Sequence, residues 1–397
     1  MTLRKIIFWL HLTAGVFAGT VVLIMCVTGV ALTYQKQMTE WADRSYWPVS
    51  TTTAGQPLGV EALISKAVDA QPEGKPSALL LYSDPSAPVV VTAQPGSNVF
   101  VDRYTGATTV GGSSAMRSFF RVMTEWHRYL ATSPENRVTG RTITGACNLA
   151  FLFIVSSGFY LWWPRNWTRQ SVRGVTWFRR GLEGKARDFN WHNVFGFWTA
   201  IPLFFIVLSG VVMSYPWANS LVYKLTGNAE PLRGGPQGGP ATRGGERGGG
   251  ARNSQFDLSR VDEFLAAAER QVPGWRTINL RLPAKADRQV AFSIDRSYGG
   301  RPQMRSTLVF DKDTGQLIRE ETFSGQNAGQ RARTWMRFVH TGEFYGTAGQ
   351  TIAGIASAAG AMLVFTGLSL AFRRFWAWNA RRSRLHEPIP IKQLSEE

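Results

Sequence analysis

The 397 residues imply an α-helical membrane protein with four transmembrane helices in two parallel repeats, plus two small extracytoplasmic α/β modules. Four long uncharged stretches, an internal repeat running through them, and a recurring strand-rich pattern between them carry that reading. Bulk composition agrees. Charged residues make up 18% of the chain, against about a quarter in a typical soluble domain. Fifteen Trp and 24 Phe add apolar bulk. The formal charge of +17 invites a nucleic-acid partner, but the basic residues cluster beside apolar stretches and join no nucleic-acid motif. No nucleic acid is expected. Two cysteines exclude a disulfide scaffold, and neither a CxxC nor a C-x-x-C-H haem-attachment motif occurs.

The four stretches are Ile6–Tyr34, Thr142–Trp163, Phe189–Tyr223 and Phe344–Phe372, and none contains Asp, Glu, Lys or Arg. Each exceeds the roughly 20 residues that cross a bilayer as helix. In lipid the backbone must satisfy its own hydrogen bonds, which predicts helix in all four. Pro202 is tolerable inside the third. The first follows Arg4 and Lys5 but is far too long for a cleaved leader, so it is expected to stay as an anchor. Arg165, Arg169, Arg173, Arg179, Arg180, Lys185 and Arg187 separate the second and third stretches, and Arg373, Arg374, Arg381, Arg382 and Arg384 follow the fourth. Positive residues stay inside, so these segments and both termini are expected in the cytoplasm. Trp9, Trp162, Trp163, Trp217 and Trp376 fall at stretch ends, as interfacial anchors do.

An internal repeat orders the chain. At an offset of 181, His11, Gly15, Gly29, Val30 and Tyr34 match His192, Gly196, Gly210, Val211 and Tyr215, with Thr28 opposite Ser209. At an offset of 209, Gly140, Thr142, Ile143, Gly145 and Gly158 match Gly349, Thr351, Ile352, Gly354 and Gly367. That second offset also pairs the D-x-x-T-G pentapeptides at 102–106 and 311–315. Both halves enter the membrane from the same side, which implies a pseudo-two-fold axis along its normal.

Between the apolar stretches the pattern is that of small α/β modules. Amphipathic helices are predicted over Val60–Ala70 and Leu258–Gln271. Strands are predicted over Val89–Ala93, Val99–Arg103, Val290–Ile294 and Thr307–Asp311. Each D-x-x-T-G reads as a strand-end turn. Leu232–Asn253, with nine Gly, reads as a linker rather than a phosphate cradle, because no strand precedes it. The expected division is then 6–34, first helix; 35–118, first external module; 119–163, amphipathic segment and second helix; and 164–188, basic loop. It continues with 189–223, third helix; 224–332, second module with the linker at 232–253; 333–372, amphipathic segment and fourth helix; and 373–397, cytoplasmic tail.

Four of the five histidines, His11, His127, His192 and His340, sit at the N-terminal ends of the four stretches. By the orientation above, His11 and His192 lie near the cytoplasmic face, and His127 and His340 near the outer one. One such histidine is usually an interfacial or hydrogen-bonded residue, but four at repeat-related positions favour a shared role. His11 and His192, equivalent across the pseudo-two-fold, suit axial ligation of an iron porphyrin from its two faces. Ungapped, His127 faces Met336 and His340 is displaced by four residues, about one helical turn. The Ser133-Pro134-Glu135-Asn136 segment is the expected place for the shift to be absorbed. Arg128, Arg141, Arg333 and Arg337, and Arg4, Lys5, Lys185 and Arg187, are cations suited to haem propionates near the outer and inner pairs. Cys26 and Cys147 read as small packing residues and His386 as part of a polar tail.

The segments WLHLTAG…CVTGVAL, EWHRYL…SSGFYLWWP, NWHNVFGFW…LSGVV and FVHTGEFYGTAGQ…FTGLSL resemble the four helices of the PepSY-associated transmembrane proteins. The two D-x-x-T-G modules are similar to PepSY domains, so the resemblance covers nearly the whole chain outside the Gly-rich stretch and the tail. It implies haem b, two per chain, with His11, His127, His192 and His340 as haem-iron ligands. It also implies an inner-membrane oxidoreductase reducing ferric siderophore iron in the periplasm, a role in iron uptake. The chain carries no flavin or nicotinamide motif, so a quinol or a separate reductase is expected as electron donor. Two rivals follow from the residues: a non-enzymatic membrane protein whose PepSY modules bind a protease or peptide, and a proton-coupled permease using the membrane histidines. The uncharged stretches offer the permease no carboxylate partner. The second external segment, 224–331, holds 17 Lys and Arg against 12 Asp and Glu, a balance mildly favourable to anionic chelates.

Overall fold

The computed structural model describes residues 2–49, 55–94, 97–163, 167–231, 257–284 and 286–385. Arg165, the Gly-rich stretch 232–253 and the tail from His386 lie outside the described residues. The chain divides into a helical unit, made of residues 1–33, 122–214 and 351–397, and a sheet unit, made of 34–121 and 215–350.

In the helical unit α1 (Leu3–Leu32) is followed, after a long excursion, by α5 (Arg137–Trp162), the short α6 (Arg169–Thr176), α7 (Gly184–Ser214) and α11 (Gly346–Leu385). The four long helices are apolar and long enough to cross a membrane. Their shared interior is small and tight: Ala18, Val22 and Cys26 of α1 meet Phe151 of α5, Leu203 and Val207 of α7, and Ala356 of α11. Large apolar side chains face outward instead, with Phe17 83% and Ile201 68% exposed. At roughly 25 cal/mol per Å² such surface is costly in water and costs nothing against acyl chains. This is a membrane protein.

Helix boundaries depart from the expected stretches for identifiable reasons. The third stretch was expected to run to Tyr223, but α7 ends at Ser214 and α8 (Pro216–Leu225) begins afresh. Pro216 has no N–H to continue a helix and its fixed φ suits a helix start. Pro202, by contrast, sits inside continuous helix. At its other end α7 begins at Gly184 and so takes in Asp188, which charge counting had left in the loop. A separate amphipathic helix precedes each of the second and fourth stretches. These are α4 (Ser114–Tyr129) and α10 (Ala328–His340), the latter started by a capping box between Asn327 and Gln330.

Breaks follow both helices. After α4, Leu130 and Ala131 take φ of 54° and 51°, where L-residues are strained, and the chain restarts through a 3₁₀ turn at Pro134–Asn136. After α10 a 3₁₀ turn at Glu343–Tyr345 leads into α11. Gly140 and Gly349 are the small residues these breaks require. A Cβ on either would run into a backbone carbonyl, that of Tyr129 or that of Gly342.

The sheet unit opens with α2 (Gln35–Asp43). Next come α3 (Val60–Ala70) and strands β1 (Lys75–Tyr82), β2 (Val89–Gln94), β3 (Ser97–Val101) and β4 (Thr108–Val110). The same order recurs as α9 (Val261–Gln271), β5 (Thr277–Arg281), β6 (Gln289–Asp295), β7 (Arg305–Asp311) and β8 (Leu317–Thr322). Two separate modules were expected. The structure instead has one eight-stranded sheet, β4-β3-β2-β1-β5-β6-β7-β8, in which two antiparallel meanders meet where β1 pairs with β5. The seam makes one core. Leu79 and Leu81 of β1, Ile278 and Leu280 of β5, and Phe292 of β6 pack with Leu63 of α3 and Phe264 of α9.

Both D-x-x-T-G segments form the turn expected of them. Asp102 Oδ1 accepts from the backbone N–H groups of Tyr104 and Thr105, and Asp311 Oδ1 from those of Asp313 and Thr314. Gly106 and Gly315 close them at φ of 71° and 75°.

Candidate functional site

Three of the four singled-out histidines belong to the helical unit, and their rings are held alike. His11 Nδ1 lies 2.9 Å from Ser157 Oγ on α5, and His192 Nδ1 lies 3.0 Å from Thr366 Oγ1 on α11. His127 Nδ1 lies 3.0 Å from Thr28 Oγ1 on α1. In each case the hydroxyl proton is already committed. Thr28 donates to the carbonyl of Ile24 at 2.6 Å, Thr366 to that of Met362 at 2.7 Å, and Ser157 to that of Ile154 at 3.2 Å. That arrangement favours hydroxyl oxygens that accept and imidazoles that donate from Nδ1, the tautomer with its lone pair on Nε2.

Glycines follow these hydroxyls in sequence. Gly158, Gly367 and Gly29 come after Ser157, Thr366 and Thr28, and the sequence holds a fourth such pair at Ser209-Gly210. A Cβ on Gly158 would lie 3.3 Å from His11 Cε1, one on Gly367 3.3 Å from His192 Cε1, and one on Gly29 3.6 Å from His127 Cε1. The hydroxyl fixes the ring's direction and the glycine lets it lie close against the neighbouring helix.

His11 is on α1 and His192 on α7, both in the helical unit. His127, on α4, joins the same unit, and His340, the last residue of α10, belongs to the sheet unit. The four-residue displacement is explained by the breaks. Ten residues separate His127 from Arg137, where α5 begins, and six separate His340 from Gly346, where α11 begins. His127 lies on α4 and His340 ends α10, the amphipathic segments ahead of α5 and α11 in which the sequence had put them.

Several cations expected to serve propionates are engaged elsewhere. Arg4 bonds the carbonyls of Leu161 and Trp163, and Arg187 pairs with Asp188 at 3.0 Å. Arg333 donates to Asn219, while Arg128 and Arg337 lie over the rings of Tyr129 and Phe338. Asp188, one turn before His192, is 1% exposed and also accepts from Ser369 Oγ at 2.7 Å, with Arg373 Nε at 3.6 Å. It ties α7 to α11. The missed residues, then, are Ser157, Thr366 and this carboxylate, while Thr28 was legible as a repeat match without its partner. A signal for the hydroxyls was present, since Ser157 and Thr366 are related by the offset of 209.

Among the described residues no three His, Cys, Asp or Glu side chains converge as a metal cage. A porphyrin asks for less, since it brings four nitrogens and needs one imidazole on each face. Imidazoles with Nδ1 hydrogen-bonded and Nε2 free are the donors it takes, because the outer hydrogen bond fixes tautomer and orientation. The residues present fit the group.

Four membrane-crossing helices that carry imidazoles, together with an eight-stranded α/β unit, define a polytopic membrane protein with a sheet domain. The chain belongs to the PepSY-associated transmembrane family, whose model matches residues 8–374. No curated protein matches the chain.

Proposed function

We propose that the protein is a di-haem oxidoreductase of the bacterial inner membrane that reduces ferric siderophore iron at the periplasmic face. His11 and His192 are assigned as one axial pair, and His127 and His340, by the repeat, as the other. The observation that carries this reading is the common placement of three imidazoles, each with Nδ1 hydrogen-bonded to a hydroxyl on a neighbouring helix. Haem b, held by these histidines, would supply one-electron redox chemistry.

The chain's own residues do the rest. Ser157, Thr366 and Thr28 hold the rings at fixed rotation, and the apolar interior around Val22, Phe151 and Val207 excludes water. With the paired histidines committed to holding the haems, the chelate would be reduced by electron transfer without bonding to the protein. Its Fe(III) gains one electron and becomes Fe(II), a softer ion on which hard oxygen ligands have a weaker hold. The electron comes from a donor outside the chain, a quinol or a separate reductase. The basic segment around α6 and the Arg-rich end of α11 support a cytoplasmic side for both.

Anaerobic reduction of the purified chain followed by addition of a ferric siderophore tests the reading. Reoxidation of the protein should match Fe(II) formed, captured by a ferrous trap. A reduced protein that leaves the chelate ferric would contradict it.

A further inference from the structure

The sheet unit contains a cavity of about 500 Å³, within the usual range for small-ligand sites. It lies among α2, the β6–β7 loop and the start of α11. Lys36, Arg44, Arg276, Arg296 and Arg301 line it, against two carboxylates, Glu40 and Glu343. Lys36 is the cation that finds a carboxylate, Glu40 at 3.7 Å. Arg44 and Arg276 lie over aromatic rings, those of Trp47 and Tyr298, and no ion pair engages Arg276, Arg296 or Arg301 among the described residues. Like charges gathered in a concave wall repel one another and focus a positive potential into it. Glu40 and Glu343 offset only part of that cost.

The walls are fixed before any ligand arrives. Asp295 Oδ1 accepts from the backbone and side chain of Ser297, and Lys36 Nζ donates to the Tyr298 carbonyl at 2.5 Å. Asp295 is held in turn by Arg305 at 3.2 Å. The following Gly299 and Gly300 take φ of 94° and 88°, and their missing side chains leave room for Lys36 and Glu343. Two flat rings face outward at the same place, Trp41 at 70% and Tyr298 at 72% exposure.

We infer that this cavity binds a multiply anionic iron chelate with aromatic arms, the tricatecholate class, in preference to neutral hydroxamate chelates. The inference rests on the function proposed above and adds a substrate class and a place to it. Surplus positive charge selects a trianion over a neutral complex. The exposed Trp41 and Tyr298 faces suit catechol rings, which stack as well as carry charge. An anionic phospholipid headgroup shares the charge but not the aromatic planes.

Gallium(III) replaces iron(III) in such chelates and is not reduced, so binding is measured apart from electron transfer. The full-length protein in phosphatidylcholine nanodiscs is titrated with gallium tricatecholate, gallium trihydroxamate and gallium citrate. The tricatecholate should bind tightest, citrate next, and the hydroxamate most weakly, with affinity for the trianion falling as salt rises. The side chains of Arg276 and Arg296 are exposed and make no ion pair, so R276Q/R296Q should fold and bind the trianion roughly tenfold more weakly. W41L should weaken the tricatecholate and leave citrate unchanged. Equal binding of the neutral chelate, unaltered binding in R276Q/R296Q, or loss of binding in phosphatidylglycerol nanodiscs would each overturn the inference. Chelate binding by a protein without haem would instead sink the proposed reduction and leave the cavity's assignment standing.

Discussion

A single hydroxyl decides what an imidazole in this membrane is able to do. Ser157 is half of a hydrogen bond that gives His11 its tautomer, and removing it frees the ring to rotate or to protonate at Nε2. Loss of such an outer partner typically costs 10–100-fold in metal affinity, and S157A is expected to lose one haem at least tenfold faster than wild type to a haem-scavenging apoprotein. S157T should restore retention, because Thr366 already serves His192 in that way. Unchanged haem loss in S157A would remove the hydroxyl from the account. The sequence made the histidines legible and left their partners unread. Ser157 and Thr366 look like ordinary small residues of a packed helix, and which side chain meets which is set by helix rotation, which one-dimensional spacing does not report. The positions of Gly158 and Gly367 were legible as matches, but their purpose required seeing Cε1 of a histidine 3.3 Å away.

At the scale of elements, burial patterns were easy to read where the period was clean. The amphipathic helix at Val60–Ala70 has the bounds expected, and the β-branched strands lie within two residues of their places. The strands that went unread are those that join the two halves. β1 is built on Ala-Leu-Leu-Leu after a proline, with little alternation, and β5 is only five residues long. Their pairing, Leu79 with Leu280 and Leu81 with Ile278, is long-range and turns two modules into one sheet. Phe292, wholly buried at that core, should cost about 3–5 kcal/mol when cut to Ala. Hydrogen exchange should then report faster opening in both β1–β4 and β5–β8. Opening confined to β5–β8 would mean that the halves are energetically separate.

Asp257 anchors the second half through Lys312, 2.9 Å away. The Ser259 hydroxyl, and then Lys312, lower its carboxyl to about 2. A depressed folded value contributes stability above the ordinary carboxylate value of about 4, and that contribution is lost as pH falls toward 2. D257N should therefore melt below wild type at pH 6, with the gap closing between about pH 4 and pH 2. A gap that widened on acidification would contradict the sign.

For the whole molecule, the order of sites is the testable feature. On the proposed reading the His11–His192 site lies toward the cytoplasmic face, so electrons from that side should meet it first. H192A should lose that haem and keep the other, still reducible by dithionite but no longer by the natural donor. Normal donor-driven reduction in H192A would mean that the two sites do not act in series. H340A should leave protein abundance unchanged and abolish ferric siderophore reduction. Membrane insertion and the presence of four helices were legible from charge alone. The exact ends of those helices were not, because Pro216 and the Leu130–Ala131 turn act through backbone geometry, to which hydropathy is blind.

The most direct measurement is the haem content of the purified full-length chain, from the pyridine haemochrome spectrum and quantitative protein analysis. The account predicts two b-type haems per chain, both extracted by acidified acetone because no C-x-x-C-H holds them covalently. A ratio that stays near one would remove the His127–His340 pair, and a ratio near zero from protein isolated with haem supplied would contradict the central claim outright.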